Sequence, residues 1–209
     1  MTNAQPKRRA REVILETAER LFAEQGIEAV SLRTINTEAG YSVAALHYHF
    51  KTREKLIAAL IDLRQGPILT RRKTMLKALQ TSPRPSVRDI VAALVMPLAE
   101  PILADSDGGL RTLKFFFRTY VELATDRRVR AVIEQSHRIF NELLVRARPD
   151  LDAAVLHQRW IFATELTFQG LAKIDQLTAV KISEIGVGTD HAPYIEQLID
   201  FITGGVVAP

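Results

Sequence analysis

Cysteine is absent from the 209-residue chain. That removes a disulfide framework, a thiolate nucleophile and any zinc–cysteine centre from consideration. No run of about eighteen apolar residues occurs, so no segment has the composition of a membrane-spanning helix. The basic opening, MTNAQPKRRAREVI, lacks the uninterrupted apolar stretch of a secretory signal. A soluble cytoplasmic protein is the expectation. Strand alternation, internal repeats and low-complexity tracts are missing too. GxSxG, HExxH and P-loop patterns do not occur, and His137, His157 and His191 are scattered. His47 and His49, two apart on a helix, point to different faces and cannot share a metal. Glu134 and His137, three apart, have the spacing of an acid–base pair, but a structural pair is the simpler account. No enzyme, cofactor or metal site is expected.

Charge of one sign is also in short supply. Twenty-eight Lys and Arg against 24 Asp and Glu leave a net +4, too small an excess to define a nucleic-acid binder. Its distribution is more informative, with Lys7, Arg8, Arg9 and Arg11 in one cluster and Arg71, Arg72 and Lys73 in another. Such clusters permit DNA without establishing it. The hydrophobic fraction, 47%, supports a sizeable core.

What is present is helical periodicity. Ala10, Val13, Ile14, Ala18, Leu21 and Phe22 follow the i, i+3, i+4, i+7 rule of one buried face. Gly26 marks the stop. Ser31 and Ser42 are N-cap candidates for two short helices separated by Gly40, and Thr52 for a fourth helix carrying Leu56, Ile57 and Leu60. QTSPRP, residues 80–85, interrupts the pattern. Ser86 with Asp89 opens the next helix, expected to bend or break at Pro97 and Pro101. Asp105 to Gly109 reads as a polar loop. Leu113, Phe116, Phe117, Tyr120 and Val121 form the following stripe, Asp126 caps another helix, and residues 151–176 read as one helix apolar on two sides. The loop VKISEIGVGTDHAP precedes a last short stripe of Ile195, Leu198, Ile199 and Ile202. The expected fold is all-α, with about nine helices.

Residues 27–56, IEAVSLRTINTEAGYSVAALHYHFKTREKL, have the logic of a helix-turn-helix. Leu32, Ile35 and Ala39 anchor the first short helix; Leu46 and Phe50 turn the second inward. Ser42, Val43, Ala44 and Ala45, with His47, Tyr48 and His49, are left for a groove. The major groove admits one α-helix, read by its N-terminal side chains. Backbone amides at the two helix starts, near Ser31 and Ser42, can meet phosphates.

With LFAEQGIEAVSLRTI, the AG before the turn and the closing LHYHFKTREKL, the segment from about residue 10 to 60 resembles the DNA-binding domain of the TetR family of transcriptional regulators. The resemblance implies a three-helix helix-turn-helix domain over 1–55, with the motif at about 31–50, and a larger helical effector-binding and dimerisation domain over 56–209. By position, Arg33 and Thr34 fall where the family's first motif helix approaches DNA. Ala44, Ala45 and Tyr48 match groove-facing positions, and His49 and Arg53 match backbone-touching ones, with Lys51 and Lys55 adding to them. Lys7, Arg8 and Arg9 match a basic arm. Three departures stand out: Asn36 where a small alanine is usual, His47 for a frequent tyrosine, and Ala44 for a common glycine. With Val43, Ala44 and Ala45 all apolar, recognition would lean on thymine methyls, on Arg33 and on DNA shape.

The implied function is that of a ligand-responsive repressor, bound as a homodimer to a palindromic operator in double-stranded DNA and released by a small apolar effector. A DNA-bound architectural or division-linked factor without an effector is the alternative. Phe116, Phe117, Tyr120, His137, Phe140 and Trp160 are the candidate effector contacts. Val155, Phe162 and Leu166 with Ile195, Leu198 and Ile202 are the candidate dimer face. No membrane partner is expected.

Overall fold

Apolar residues recurring at helical spacing between local stop signals build a chain of helices, and the computed structural model describes it over residues 4–123, 126–179 and 190–208. The order is α1 (Ala4–Gln25), α2 (Leu32–Ala39), α3 (Val43–Phe50), α4 (Arg53–Thr81), α5 (Val87–Ala104), α6 (Ser106–Glu122), α7 (Arg127–Ala147), α8 (Ala153–Ala172), α9 (Ile174–Ala179) and α10 (His191–Val207). The fold is all-α, and no strand occurs among the described residues.

Two units follow from the packing. The first takes α1 to α3, α4 as far as Gly66, and α6 from Lys114 onward. Its core joins Ile14, Ala18, Leu21 and Phe22 of α1 to Ile35, Leu46, Phe50, Leu56 and Leu60. Phe115 of α6 is fully buried and stacks on Phe22, with ring centroids 6.1 Å apart. One charge is buried there as well. Glu19 of α1 is 1% exposed and accepts from Arg64 Nη2 of α4 at 2.5 Å, which keeps the carboxylate from being stranded away from water.

The second unit holds the rest of α4 and α6 with α5 and α7 to α10. Ile90, Leu94, Leu98 and Ile102 of α5 share its core with Phe140 and Leu144 of α7, Leu156 and Trp160 of α8, and Ile199 and Val206 of α10. Phe140 stacks on Trp160 at 4.4 Å. Helix α5 runs on through Pro97 and Pro101 instead of breaking. Pro97 has no N–H to give the Ala93 carbonyl, and Arg72 supplies the donors: Nε to Ala93 O at 3.4 Å and Nη2 to Leu94 O at 3.2 Å. Burial lowers the Arg72 guanidinium to about 10, so it remains charged at neutral pH. The C-terminal carbonyls of α10 are met by Arg148 Nη1, to Val207 O at 2.9 Å, and Arg159 Nη1, to Val206 O at 3.1 Å, cations suited to that end of a helix.

The outline departs from the sequence expectation in four further places. Helix α1 begins at Ala4, so Lys7, Arg8 and Arg9 belong to a helix and not to a preceding arm; the side chains of Lys7 and Arg8 lie outside the described residues. Gly108 and Gly109 are helical, because α6 starts at Ser106. The stripe of α6 is rotated: Val121 is 56% exposed while Phe115 is buried. The expected helix over 151–176 ends at Ala172, and α9 follows as a separate helix, ten among the described residues. Most of the loop before α10, residues 180–189, lies outside the described residues.

Candidate nucleic-acid interface

Local bonds start and stop both helices of the motif. Ser31 has extended backbone (φ −90°, ψ 157°), and its Oγ accepts from the Thr34 N–H at 3.1 Å, which opens α2. Gly40 closes it in the left-handed region, its N–H donating to the carbonyls of Thr37 and Asn36. Ser42 then caps α3 by accepting from the Ala45 N–H at 3.2 Å. Each cap satisfies a donor that the first turn would otherwise leave open.

Two anchors fix which face of α3 looks out. Leu46 is fully buried and Phe50 is 3% exposed, whereas Tyr48 is 66% and Val43 54% exposed. Ser42, Ala44 and His47 are exposed as well, and Ala45 and His49 half-buried. Tyr48 meets the His49 ring edge-on at 5.1 Å. His47 Nδ1 lies 2.9 Å from the Lys51 carbonyl at the end of the helix. Lys51 itself adopts a positive φ of 59° with ψ −48°, an uncommon backbone conformation for a residue with a side chain. Arg33, Lys51 and Lys55 are exposed cations of α2, the α3–α4 turn and the first turn of α4. The Thr34 hydroxyl, half-buried, shares a hydrogen bond with Ser31 Oγ at 2.8 Å. Glu54 opens α4, and hydrogen bonding to the backbone and then to Thr52 holds its carboxyl below the usual range.

Arg53 is placed differently. It is half-buried, its Nε donates to Val30 O at 3.2 Å, its Nη2 donates to Ile27 O, and its guanidinium lies 5.9 Å from the centre of the Phe22 ring. Of two further residues in this unit, the sequence marks Asn36 as a departure from the family pattern, whereas Glu122 escapes it. Asn36 is 4% exposed, with no partner for its amide among the described residues. Glu122 of α6 accepts from the Glu28 N–H at 3.0 Å. Phe115, Thr119 and Glu122 recur at i, i+4 and i+7, so the spacing was there to find, but two of the three are polar and apolar periodicity passes over them.

The effector candidates divide between the units. Phe116, Phe117 and Tyr120 belong to the first unit; His137, Phe140 and Trp160 belong to the second. Phe140 and Trp160 are buried, and His137 is half-buried with its ring 6.5 Å from that of His157. Burial, then the charge of His157, lowers the His137 pKa, against an opposing pull from Glu165. The second unit also has a cleft of about 550 Å³ lined by Ile102, Leu103 and Leu110 with Asp107, Asp175, Asp190 and His191, none of them among the candidates.

Of the candidate dimer residues, Phe162 and Leu166 are 64% and 43% exposed, and Val155 and Leu198 half-buried. Ile195 and Ile202 are a correction. At 1% and 2% exposure they face the interior of their own unit, because α10 packs on α5 and α8 through Ile195, Ile199, Ile202 and Val206. The apolar residue that α10 presents outward is Phe201, 71% exposed.

Two capped short helices, one anchored by two residues and outward over the rest, define a helix-turn-helix protein. The chain belongs to the TetR family. Residues 14–60 match the family profile described as bacterial regulatory proteins, tetR family, and residues 92–205 the one described as tetracyclin repressor-like, C-terminal domain. Among curated proteins it is 25% identical over 206 residues to YerO of Bacillus subtilis (strain 168), an uncharacterized HTH-type transcriptional regulator, covering 93% of this chain and 65% of that one. It is 43% identical over 51 residues to AcnR of Corynebacterium efficiens, an HTH-type transcriptional repressor, covering 24% and 27%. The chain thus spans less than two thirds of these relatives' lengths. In fold it is similar to KstR2 of Mycobacterium tuberculosis, described as a ketosteroid transcriptional regulator, with a TM-score of 0.67, 18% identity and coverage of 98% and 96%. A TetR-like regulator from Rhodococcus sp. RHA1 gives 0.63, with 15% identity and coverage of 94% and 93%. Among the described residues no helix is long and apolar enough to cross a membrane.

Proposed function

We propose that the protein is a transcriptional repressor that binds a palindromic DNA operator as a homodimer and is released by a small, largely apolar effector. The observation that carries the reading is the orientation of α3. Leu46 and Phe50 hold it down while Val43, Ala44, His47 and Tyr48 stand outward, as a helix entering the major groove requires. Arg33 supplies a base or phosphate contact, Lys51 and Lys55 supply phosphate contacts, and the capped starts of α2 and α3 offer amides to the backbone. Ser42, Thr34, Ala45 and His49 flank these. Two of the five Arg53 N–H groups go to the carbonyls of Val30 and Ile27, so a phosphate contact by this residue falls to its remaining donors. Repression is the function printed for AcnR and is carried over on family membership. Effector contact is assigned to His137, Phe140 and Trp160 of the second unit, where the stacked Phe140–Trp160 pair and the His137–His157 pair bridge the same two helices.

Selection of bound fragments from random duplex DNA tests the reading. It should return a palindrome whose half-sites lie roughly 34–36 Å apart. Log affinity should fall linearly with log salt, with a slope of about −0.9 per phosphate neutralised. Arg33→Ala and Tyr48→Ala should each weaken binding to that site at least about tenfold, the loss of one good base contact, with the oligomeric state unchanged. Wild-type affinity in both variants would defeat the assignment.

A further inference from the structure

The turn between α1 and α2 draws polar contacts from side chains far from it in the chain. Helix α1 ends at Gly26, whose φ of 92° suits only glycine, and Ser31 caps α2 five residues later. Turn backbone groups need partners, and here they come from two distant helices. At the start of α4, Arg53 donates to the carbonyls of Ile27 and Val30. At the end of α6, Glu122 accepts from the Glu28 N–H through Oε2 at 3.0 Å. A cation therefore holds the acceptors of the turn and an anion holds a donor. The carboxylate is steadied in turn by Arg118, with Nη1 3.8 Å from Oε1. The fit is close, since a Cβ on Gly26 would stand 3.0 Å from Glu122 Oε1.

We infer that Glu122 is a positioning residue for DNA recognition: with Arg53 it clamps the α1–α2 turn and so sets the attitude of α2, of Arg33 on its first turn, and of the α3 that follows. The inference rests on the DNA-binding reading above and deepens it. Base-edge contacts demand placement within about half an ångström, whereas attraction to phosphates tolerates far more. Loosening the clamp should therefore cost specific binding more than non-specific binding. A residue that merely stabilised the unit would lower both together.

The test uses the full chain, the DNA fragment recovered by selection, and a scrambled duplex of equal length. Glu122→Ala should speed hydrogen exchange at the Glu28 amide and lower the ratio of specific to non-specific affinity about tenfold, the scale of one charge-assisted hydrogen bond. Glu122→Gln, which keeps an acceptor oxygen, should recover most of the ratio. Arg53→Lys keeps the charge but cannot span two carbonyls, so the ratio should fall there too even if Glu122→Ala proves too unstable to purify. An unchanged ratio in Glu122→Ala despite faster Glu28 exchange would overturn the inference. So would equal losses on both duplexes, or full activity in Arg53→Lys. If the wild-type chain selects no fragment at all, the DNA reading falls and takes this role with it. Glu28 exchange, measured without DNA, tells that failure apart from the absence of a clamp.

Discussion

Asn36 occupies the interior of the first unit at 4% exposure, and neither its amide nitrogen nor its oxygen has a partner among the described residues. Its carbonyl is fully used, accepting from the N–H groups of Gly40 and Tyr41 at the end of α2, so the backbone is content and only the side chain is stranded. A buried polar group left without a partner costs about 1–3 kcal/mol. Alanine removes that cost, keeps the helix, and leaves only a small void. Asn36→Ala should accordingly raise the urea midpoint, by about 1 kcal/mol of stability once the lost packing is deducted. A lower midpoint would mean that the amide finds partners this arrangement does not show. Glu19 is the useful contrast: it is equally buried, but Arg64 meets it at 2.5 Å, so there the polar pair is a unit and removal of one member strands the other.

At the scale of elements, the junction of α5 and α6 shows where local signals mislead. Asp105 to Gly109 has a loop composition, yet Asp105 caps a helix, accepting from the Gly108 N–H at 3.2 Å through Oδ1 and from the Gly109 N–H at 2.7 Å through its carbonyl. Gly109 is there for closeness. A Cβ would lie 2.4 Å from Pro101 C and O and from Ile102 N, all backbone atoms that cannot swing aside. Gly109→Ala should therefore destabilise the protein by about 2 kcal/mol or more despite alanine's better helix propensity, visible as a lowered melting temperature. A neutral or stabilising result would show that α5 and α6 can part at no cost. The caps at Ser31, Ser42, Ser86 and Asp126 are legible in the sequence because each rests on one bond within three residues. The outward face of α3 is legible because Leu46 and Phe50 alone set its phase. Close approach at Gly109, the commitment of Arg53 to the α1–α2 turn, and the reach of Glu122 over 94 residues to Glu28 are set by tertiary neighbours, which no local pattern names.

For the molecule as a whole, the second unit keeps an apolar face that its own core does not use. On α10 the inward stripe is Ile195, Ile199, Ile202 and Val206, and one step round the helix lie Tyr194, Leu198 and Phe201. On α8 the corresponding outward residues are Ile161, Phe162 and Leu166. The two helices meet closely at Gly170, where a Cβ would lie 3.2 Å from both Leu198 methyl carbons and the Tyr194 hydroxyl donates to the Gly170 carbonyl at 3.3 Å. Phe162, Leu166 and Phe201 are thus exposed apolar residues on two helices in contact, and exposed aromatics of that kind have the character of an interface core. The proposed homodimer, built on these residues, is isologous, each copy offering the same two helices. Phe162→Asp with Phe201→Asp should convert the protein from dimer to monomer in sedimentation with the helical content unchanged. Ile195→Asp, by contrast, should unfold the unit, since that residue is 1% exposed. Operator binding should weaken by at least about a hundredfold in the double variant, because two linked heads gain an effective concentration that a single head lacks. Retention of the dimer in that variant would move the interface elsewhere, and retention of full operator affinity by a monomer would mean that one head suffices.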